Sequence, residues 1–171
     1  IGELAYDTNK VDEYTIYIKE NDVYTPFLVI TNDYAGNTLL LRKEALDQEY
    51  PFSESDDDYY AVSFVDSFLN SDYYERFNNS VKKIILDSTV QISKNYPDIF
   101  ETEEIVRKIF LLSCSEVNIS MGITIDDGAP LKYFAQKENI LCYCHNCLPI
   151  PKRLTAYLPA DIIKKKSHKR E

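Results

Sequence analysis

The stretch Arg107-Lys108-Ile109-Phe110-Leu111-Leu112-Ser113-Cys114-Ser115-Glu116 is the part of the sequence that decides the fold. Its apolar residues 109–112 are too few for a helix and are typical of a strand that is buried on both faces. Ser113 and Glu116 then have the spacing of a capping box, in which each side chain bonds to the other residue's backbone amide. We therefore expect a buried strand at 108–112 that leads directly into a helix.

Upstream of this stretch, the sequence predicts consecutive hairpins. Residues 14–20 alternate between apolar and polar types, and Asn21-Asp22 follow as a turn. A β-branched apolar run from Val23 to Thr31 is the second strand. Residues 32–37 contain Gly36 and form the next turn, and 38–41 return as the third strand.

Short helices are expected after these strands. One begins near Ser63, because Val65, Phe68 and Leu69 follow at helical spacing. The other expected elements are a loop at 49–60, a second helix capped by residues 70–72, a helical turn at 80–86, a strand at 88–92, a surface loop at 94–104, a turn at 126–130 and a helix at 131–137.

This order of elements predicts an α+β fold, with a twisted antiparallel sheet and several short helices packed to one side. We expect residues 1–148 to form a single α+β domain and residues 149–171 to form a basic C-terminal extension. The chain has 171 residues, 44% of them hydrophobic, which is enough for a buried core. No apolar run approaches the roughly 20 residues that span a bilayer. The chain begins at Ile1 without a signal peptide, so we expect that a leader was removed or trimmed.

Charge is unevenly distributed along the chain. Residues 151–171 contain seven Lys or Arg against Asp161 and Glu171, a net charge of +5. The overall charge of −9 therefore leaves −14 on residues 1–150. An acidic body repels phosphate backbones, so we expect that it binds no nucleic acid.

Several segments resemble one family of uncharacterised bacterial domains. The segments are Tyr60-Ala61-Val62-Ser63, Phe68-Leu69-Asn70, Tyr73-Tyr74-Glu75-Arg76-Phe77, Ile84 with Thr89, and Lys108-Ile109-Phe110-Leu111-Leu112-Ser113 with Glu116. The family occurs chiefly in gut Firmicutes and is often exported or on the cell surface. Its layout is similar to the C-type-lectin-like and sulfatase-modifying-factor folds.

The resemblance covers about residues 22–136 and names no catalytic group. Members of the family continue with a Trp-Leu-Arg-Ser segment and close on a Gly-Val-Arg-Pro strand, and this chain has neither. The resemblance implies a secreted or cell-surface module whose ligand is a glycan or a protein. We expect such a module to be non-catalytic, because the sequence offers only two histidines and no Gly-rich phosphate loop.

The cysteine-rich segment Cys142-Tyr143-Cys144-His145-Asn146-Cys147 indicates an alternative, a zinc or copper protein. Cys144 and Cys147 have the spacing by which two thiolates bind one metal ion, and Cys142 or His145 offers a third ligand. A structural zinc site needs a fourth ligand, and Cys114 and His168 are distant in sequence. A set of reduced or disulfide-bonded thiols with no cofactor is therefore the simpler interpretation.

Tyrosines beside an acidic run are the candidate ligand-binding residues. Tyr59 and Tyr60 follow Asp56 and Asp58, and tyrosine is enriched at binding faces because it buries area at low entropic cost. The acidic run also offers oxygen ligands for calcium, but without the order of an EF-hand loop. A further alternative is an intracellular interaction protein that uses the basic segment 164–170.

Overall fold

The computed structural model describes residues 13–43, 46, 50–53, 59–95, 98–119, 125 and 127–135. It contains five strands in two antiparallel sheets, together with short helices, so the predicted α+β class is confirmed. The strands form a three-stranded and a two-stranded sheet, and not one continuous sheet. Among the described residues, no helix has the length and apolar character needed to cross a membrane.

The first sheet has the order β1-β2-β3 and consists of the predicted hairpins. Strands β1 (Thr15–Glu20), β2 (Val23–Tyr34) and β3 (Asn37–Arg42) are joined by two-residue turns. Asn21 and Asp22 have φ of 46° and 66°, which is the left-handed backbone that tight hairpin turns require. Ala35 and Gly36 repeat this conformation at the second turn, with φ of 49° and 80°.

Strand β2 is buried on both of its faces. Its pairing with β3 shifts register between Val29 and Thr31 and again between Thr31 and Tyr34. Within β2, the consecutive residues Phe27, Leu28, Val29 and Ile30 are all buried. Because successive side chains of a strand point to opposite faces, the sheet needs a cover on each side.

One continuous helical run covers the first of these faces. It consists of helix α1 (Phe64–Phe68), a π-helical turn (Leu69–Tyr73) and a 3₁₀ turn (Tyr74–Arg76). Its side chains pack with Phe27 in a cluster that contains Val65, Phe68, Leu69, Tyr73 and Phe77. The predicted helix start near Ser63 is confirmed, because the Ser63 hydroxyl accepts a hydrogen bond from the Asp66 amide at 3.1 Å.

The predicted second helix with a cap at residues 70–72 is wrong. The helical run passes through these residues without a break, and the side chain of Asn70 is used elsewhere. Helix α2 (Asn79–Lys82) follows, and its cap is Asn78, whose side-chain oxygen accepts from the Ser80 and Val81 amides.

The second sheet pairs β4 (Ser88–Ser93) with β5 (Thr102–Arg107). Strand β4 was predicted, but β5 begins inside the region 94–104 that we expected to be a surface loop. Strand β5 has half-buried and exposed positions but no buried one, and its glutamates resemble a loop composition. Backbone pairing with β4 makes it a strand in spite of this.

The predicted strand at 108–112 is also wrong. These residues form no regular structure and are half-buried, so the apolar run is not a strand buried on both faces. Its side chains Ile109 and Leu111 still pack against the first core cluster. We call residues 108–112 the strap, because they cross the helical run as an irregular segment.

The capping box after the strap is confirmed in its hydrogen bonds. The Ser113 amide donates to Glu116 Oε2 at 2.8 Å, and the Glu116 amide donates to Ser113 Oγ at 3.1 Å. A single turn follows instead of a helix, and Asn118, with φ of 58°, ends it. In the predicted helix 131–137, the described part is a 3₁₀ turn at Lys132–Ala135.

A charged anchor ties the helical run to the first sheet. Glu20 is buried at the end of β1, and its carboxylate accepts from Arg42 Nε at 3.0 Å and from the Tyr73 hydroxyl at 2.6 Å. A second core cluster, of Leu28, Val29 and Ile30, is covered in part by Leu131 and Tyr133.

Candidate functional site

An open groove of about 690 Å³ lies between the helical run and the end of β5. One wall consists of residues 106–108, and Asp87 lies at the rim. The other wall consists of Ala61, Val62, Ser63, Asp66, Ser67, Asn70 and Ser71. Ligand sites in proteins are concave and hold a few well-placed polar groups, so this groove is the candidate site.

Three small side chains line the helical wall of the groove. Ser63, Ser67 and Ser71 are spaced four residues apart and therefore lie on the same side of the helical run. Their hydroxyls bond locally: Ser63 caps α1, and Ser71 Oγ donates to the Ser67 carbonyl at 2.7 Å.

An ion pair between Arg107 and Asp66 forms the floor of the groove. Arg107 Nε donates to both carboxylate oxygens of Asp66 at 2.8 Å, and Nη2 lies 2.8 Å from Oδ2. Asp66 is buried, and its hydrogen bond raises the pKa of the Arg107 guanidinium. Arg107 also donates to the carbonyls of Val106 and Ala61, so this one side chain joins β5 to the start of the helical run.

Asn70 supports the same floor from the helical run. Its Nδ2 donates to the carbonyls of Asp66 at 3.0 Å and Ile109 at 2.9 Å. Its Oδ1 accepts from the amides of Lys108 and Ile109 at 3.2 and 3.3 Å. The side chain therefore takes the place of a neighbouring strand for the first residues of the strap.

The rim combines a second ion pair with exposed aliphatic side chains. Lys108 Nζ lies 2.9 Å from Asp87 Oδ1. Val62 and Val106 are 66% and 57% exposed, one on each wall of the groove. The groove thus has a paired, charged floor between two apolar edges.

The family comparison covers this whole region of the chain. Residues 35–145 match the family described as Domain of unknown function (DUF6273). The chain belongs to this family. No curated protein and no solved structure matches the chain. The groove, the strap and the capping box all lie within the matched region, whereas β1 and β2 precede it.

Membership of the DUF6273 family agrees with the expected relationship to an uncharacterised domain family and assigns no activity. The match ends at His145 and so includes Cys142, Cys144 and His145 but not Cys147. The bacterial source, the gut Firmicutes and the lectin-like layout stay predictions.

The predicted ligand-binding tyrosines lie beside the groove and have partners within the protein. The Tyr59 hydroxyl donates to Glu103 on β5. The Tyr60 hydroxyl accepts from the Leu111 amide of the strap at 3.1 Å, and its ring packs against Phe52. Burial raises the pKa of Tyr60. Their role as ligand contacts stays a prediction.

The remaining predicted site residues lie outside the described residues. They are Asp56 and Asp58 of the acidic run, and Cys142, Cys144, His145 and Cys147 of the cysteine-rich segment. Within the described ranges, no group of three or more His, Cys, Asp or Glu is placed to hold a metal ion.

Sequence reasoning missed Asp66, Asn70 and Arg107 as the groove floor. One signal was present, since Asp66 falls among the apolar positions Val65, Phe68 and Leu69 and needed a buried partner. The sequence does not identify that partner, because Arg107 is 41 residues away from Asp66 along the chain.

Proposed function

We propose that this DUF6273 domain is a non-catalytic binding module that holds an extended segment of a protein ligand in the groove. The observation that carries the proposal is the pair of exposed valines, Val62 and Val106, on either side of a floor whose charges are already paired. Exposed apolar side chains that a ligand can bury contribute to protein–protein association, and the paired floor leaves no charge for the ligand to neutralise.

The chemistry of the groove supports binding over catalysis. The Asp66 carboxylate and the Ser63 hydroxyl have their hydrogen bonds inside the protein, to Arg107 and to the α1 backbone. A nucleophile needs an adjacent base that can accept its proton. Within the described lining, the carboxylates of Asp66 and Asp87 each pair with a basic side chain.

A protein ligand fits the groove better than a glycan does. The exposed apolar side chains at the edges of the groove, Val62 and Val106, are aliphatic, whereas exposed aromatic rings lie on the first hairpin at Tyr17 and Tyr24. Lys19 lies 5.1 Å from the centre of the Tyr24 ring and faces it across the β1–β2 pair. If the ligand is a glycan, these rings are the place where we expect contact.

The test is selection of peptides from a random display library on the full chain, followed by affinity measurements on Val62→Lys and Val106→Lys. We expect each variant to raise the dissociation constant of the selected peptides by at least about tenfold. This corresponds to a loss of roughly 1.4 kcal/mol of binding free energy. The matched control is Val23→Lys, because Val23 is also 66% exposed but lies on the first hairpin. Equal losses in all three variants, or glycan binding that Tyr24→Ala removes, would overturn the proposal.

Export to the cell surface is part of this proposal and is supported by the resemblance to exported domains. Fractionation of cells that express the full-length gene tests it, because a surface module must be found outside the cytoplasm. A cytoplasmic protein would favour the alternative of an intracellular interaction protein that uses the basic segment 164–170.

A zinc or copper protein is the second candidate, and its support is the spacing of Cys144 and Cys147 with Cys142 and His145 nearby. The test is metal content together with a thiol count on protein purified without chelator. About one metal ion per chain, lost in Cys144→Ser, is the result that this candidate requires. Metal-free protein with unchanged thiols in the variant would exclude it.

A further inference from the structure

Strand β5 is an edge strand, because the second sheet consists of β4 and β5 alone within the part of the chain that the structure describes. The Lys94 amide donates to the Glu101 carbonyl at 2.9 Å, and these two residues continue the register of the hairpin by one pair. In an antiparallel pair, hydrogen-bonded residues alternate with residues whose backbone groups point away from the partner strand. On β5 the backbone groups of Thr102, Glu104 and Val106 therefore point away from β4.

This outer edge of β5 faces the helical run and leads into the groove. The Lys108 amide lies two residues beyond Val106, and it donates to Asn70 Oδ1 of the helical run at 3.2 Å. The Val106 carbonyl accepts from Arg107 Nη1 at 2.9 Å, and the same guanidinium pairs with Asp66. Val106, Arg107 and Lys108 all line the groove. An extended segment in the groove therefore lies beside the outer edge of β5.

The backbone groups at this edge are available to another chain. The Glu104 amide and carbonyl and the Val106 amide have no hydrogen-bond partner among the described residues. Unpaired N–H and C=O groups along an edge strand are a template on which a further strand can pair. The edge therefore offers both donors and an acceptor at the mouth of the groove.

We propose that the protein ligand binds by strand addition, as a third strand that pairs with the outer edge of β5 at Glu104 and Val106. This inference rests on the proposed function and specifies how the same groove holds its ligand. In this mode of binding, main-chain hydrogen bonds provide affinity and alternate side chains provide specificity. Pairing ends at Lys108, because Asn70 already occupies its amide.

The side chains of β5 favour a ligand strand that carries an apolar and a basic residue. Val106 is 57% exposed, and an apolar residue opposite it would cover it. Glu104 is also exposed, and its carboxylate accepts one hydrogen bond, from Gln91 Nε2 at 2.8 Å, which leaves it open to a basic residue. The two ligand residues stand two positions apart, on one face of the added strand. The charge of −14 on residues 1–150 attracts the same kind of segment.

A second copy of this chain is a poorer occupant of the edge. Pairing between two β5 strands would bring Glu103 and Glu104 of one copy close to the same glutamates of the other. Like charges that lie opposite each other destabilise a pair of strands. The edge therefore favours a segment of a different protein.

The test is a scan of backbone N-methylation through the display-selected peptide of highest affinity, measured on the natural chain. Each methyl group removes one amide donor, and successive amides of a strand point to opposite edges. We expect methylation at every second position of the paired segment to raise the dissociation constant at least about tenfold, and at the positions between by less than about threefold. Methylation without effect at all positions, or with equal effect at all of them, would overturn strand addition while leaving the two valines as ligand contacts.

Charge reversal at the edge tests the place of the basic residue. Glu104→Lys should raise the dissociation constant of the same peptide about threefold or more, because an opposite-charge pair becomes a like-charge pair. Glu13→Lys is the control, since it changes the net charge equally at an exposed position before β1. Equal effects of both variants would overturn the pairing of Glu104 with a basic residue. Peptides that tolerate Val62→Lys and Val106→Lys, or a selection that yields no peptide, would overturn the proposed function and this inference with it.

Discussion

At the scale of the single residue, Asn70 holds the start of the strap against the helical run. Its side chain donates to one carbonyl of the strap and accepts from two of its amides. In sequence, Asn70-Ser71-Asp72 is typical of a helix cap, because asparagine bonds readily to backbone groups nearby. The same property allows it to bond to a distant segment, and sequence alone does not distinguish the two uses.

Replacing Asn70 by Ala should reduce the free energy of unfolding by about 2–3 kcal/mol. The change leaves backbone groups of Ile109 and Lys108 without partners, and each buried polar group left unpaired costs about 1–3 kcal/mol. Urea unfolding measures the loss. The control is Asn79→Ala in the exposed first turn of α2, and an equal cost in both variants would contradict the role of Asn70.

At the scale of elements, the sequence predicted those whose side-chain pattern and backbone pairing agree. Strand β1 has an alternating sequence, β2 is a β-branched apolar run, both hairpin turns have left-handed residues, and α1 has a serine cap. Strand β5 was not predicted, because its glutamates and the exposed Val106 do not form an apolar pattern. Its backbone hydrogen bonds to β4 are what make it a strand. The β preference of a segment reflects its packing more than its backbone.

The strap has the apolar pattern of a buried strand but no backbone pairing with a neighbouring strand. Four consecutive apolar residues predict burial, and residues 109 and 111 do reach the core. Their backbone amides bond to the side chains of Asn70 and Tyr60 instead of a neighbouring strand. The candidate site could not be predicted either, because its floor depends on the pairing of Asp66 with Arg107 across this same crossing.

Leucines in the helical run and in the strap should differ in their cost of truncation. Leu69→Ala should cost about 2–5 kcal/mol, because Leu69 is fully buried and a cavity would remain. Leu111→Ala should cost roughly 1–2 kcal/mol, since only part of the side chain leaves water. Denaturant unfolding of both variants checks this, and a larger cost at Leu111 than at Leu69 would contradict the half-buried position of Leu111.

Loss of one partner of the ion pair that joins α1 to β5 should lower the free energy of unfolding strongly. Loss of both partners together should be tolerated better. Asp66→Leu alone should cost about 3 kcal/mol, because it leaves the Arg107 guanidinium against an apolar side chain. The double variant Asp66→Leu with Arg107→Met should cost less than the two single changes combined. A thermodynamic cycle of urea unfolding measures this coupling, and strict additivity would show that the pair is independent.

At the scale of the whole molecule, the charge is divided between an acidic body and a basic end. Residues 1–150 carry −14 and residues 151–171 carry +5. The repulsion between the body and a phosphate backbone extends over about one Debye length, or roughly 8 Å at physiological salt. We therefore expect any contact with nucleic acid to be confined to the basic end.

Binding to a short DNA duplex should depend entirely on the seven basic residues of the segment 151–171. We expect the full chain to show at most weak binding that disappears between about 50 and 200 mM salt. Exchange of the seven residues for glutamine should abolish it, as fluorescence polarisation of a labelled duplex can measure. Undiminished binding by the exchanged chain would mean that the body itself contacts phosphate.

Buried and half-buried tyrosine side chains also set an alkaline limit for the fold, and their ionisation can be followed optically. Among the described residues, burial raises the pKa of Tyr34, Tyr60, Tyr73 and Tyr133, whereas a tyrosine in water ionises near pH 10. Stability from these groups is therefore complete below about pH 10 and decreases above it, because the unfolded chain releases their protons first. With 14 tyrosines and no tryptophan, the near-ultraviolet spectrum belongs mainly to tyrosine. Alkaline unfolding should therefore appear as a cooperative rise in tyrosinate absorbance.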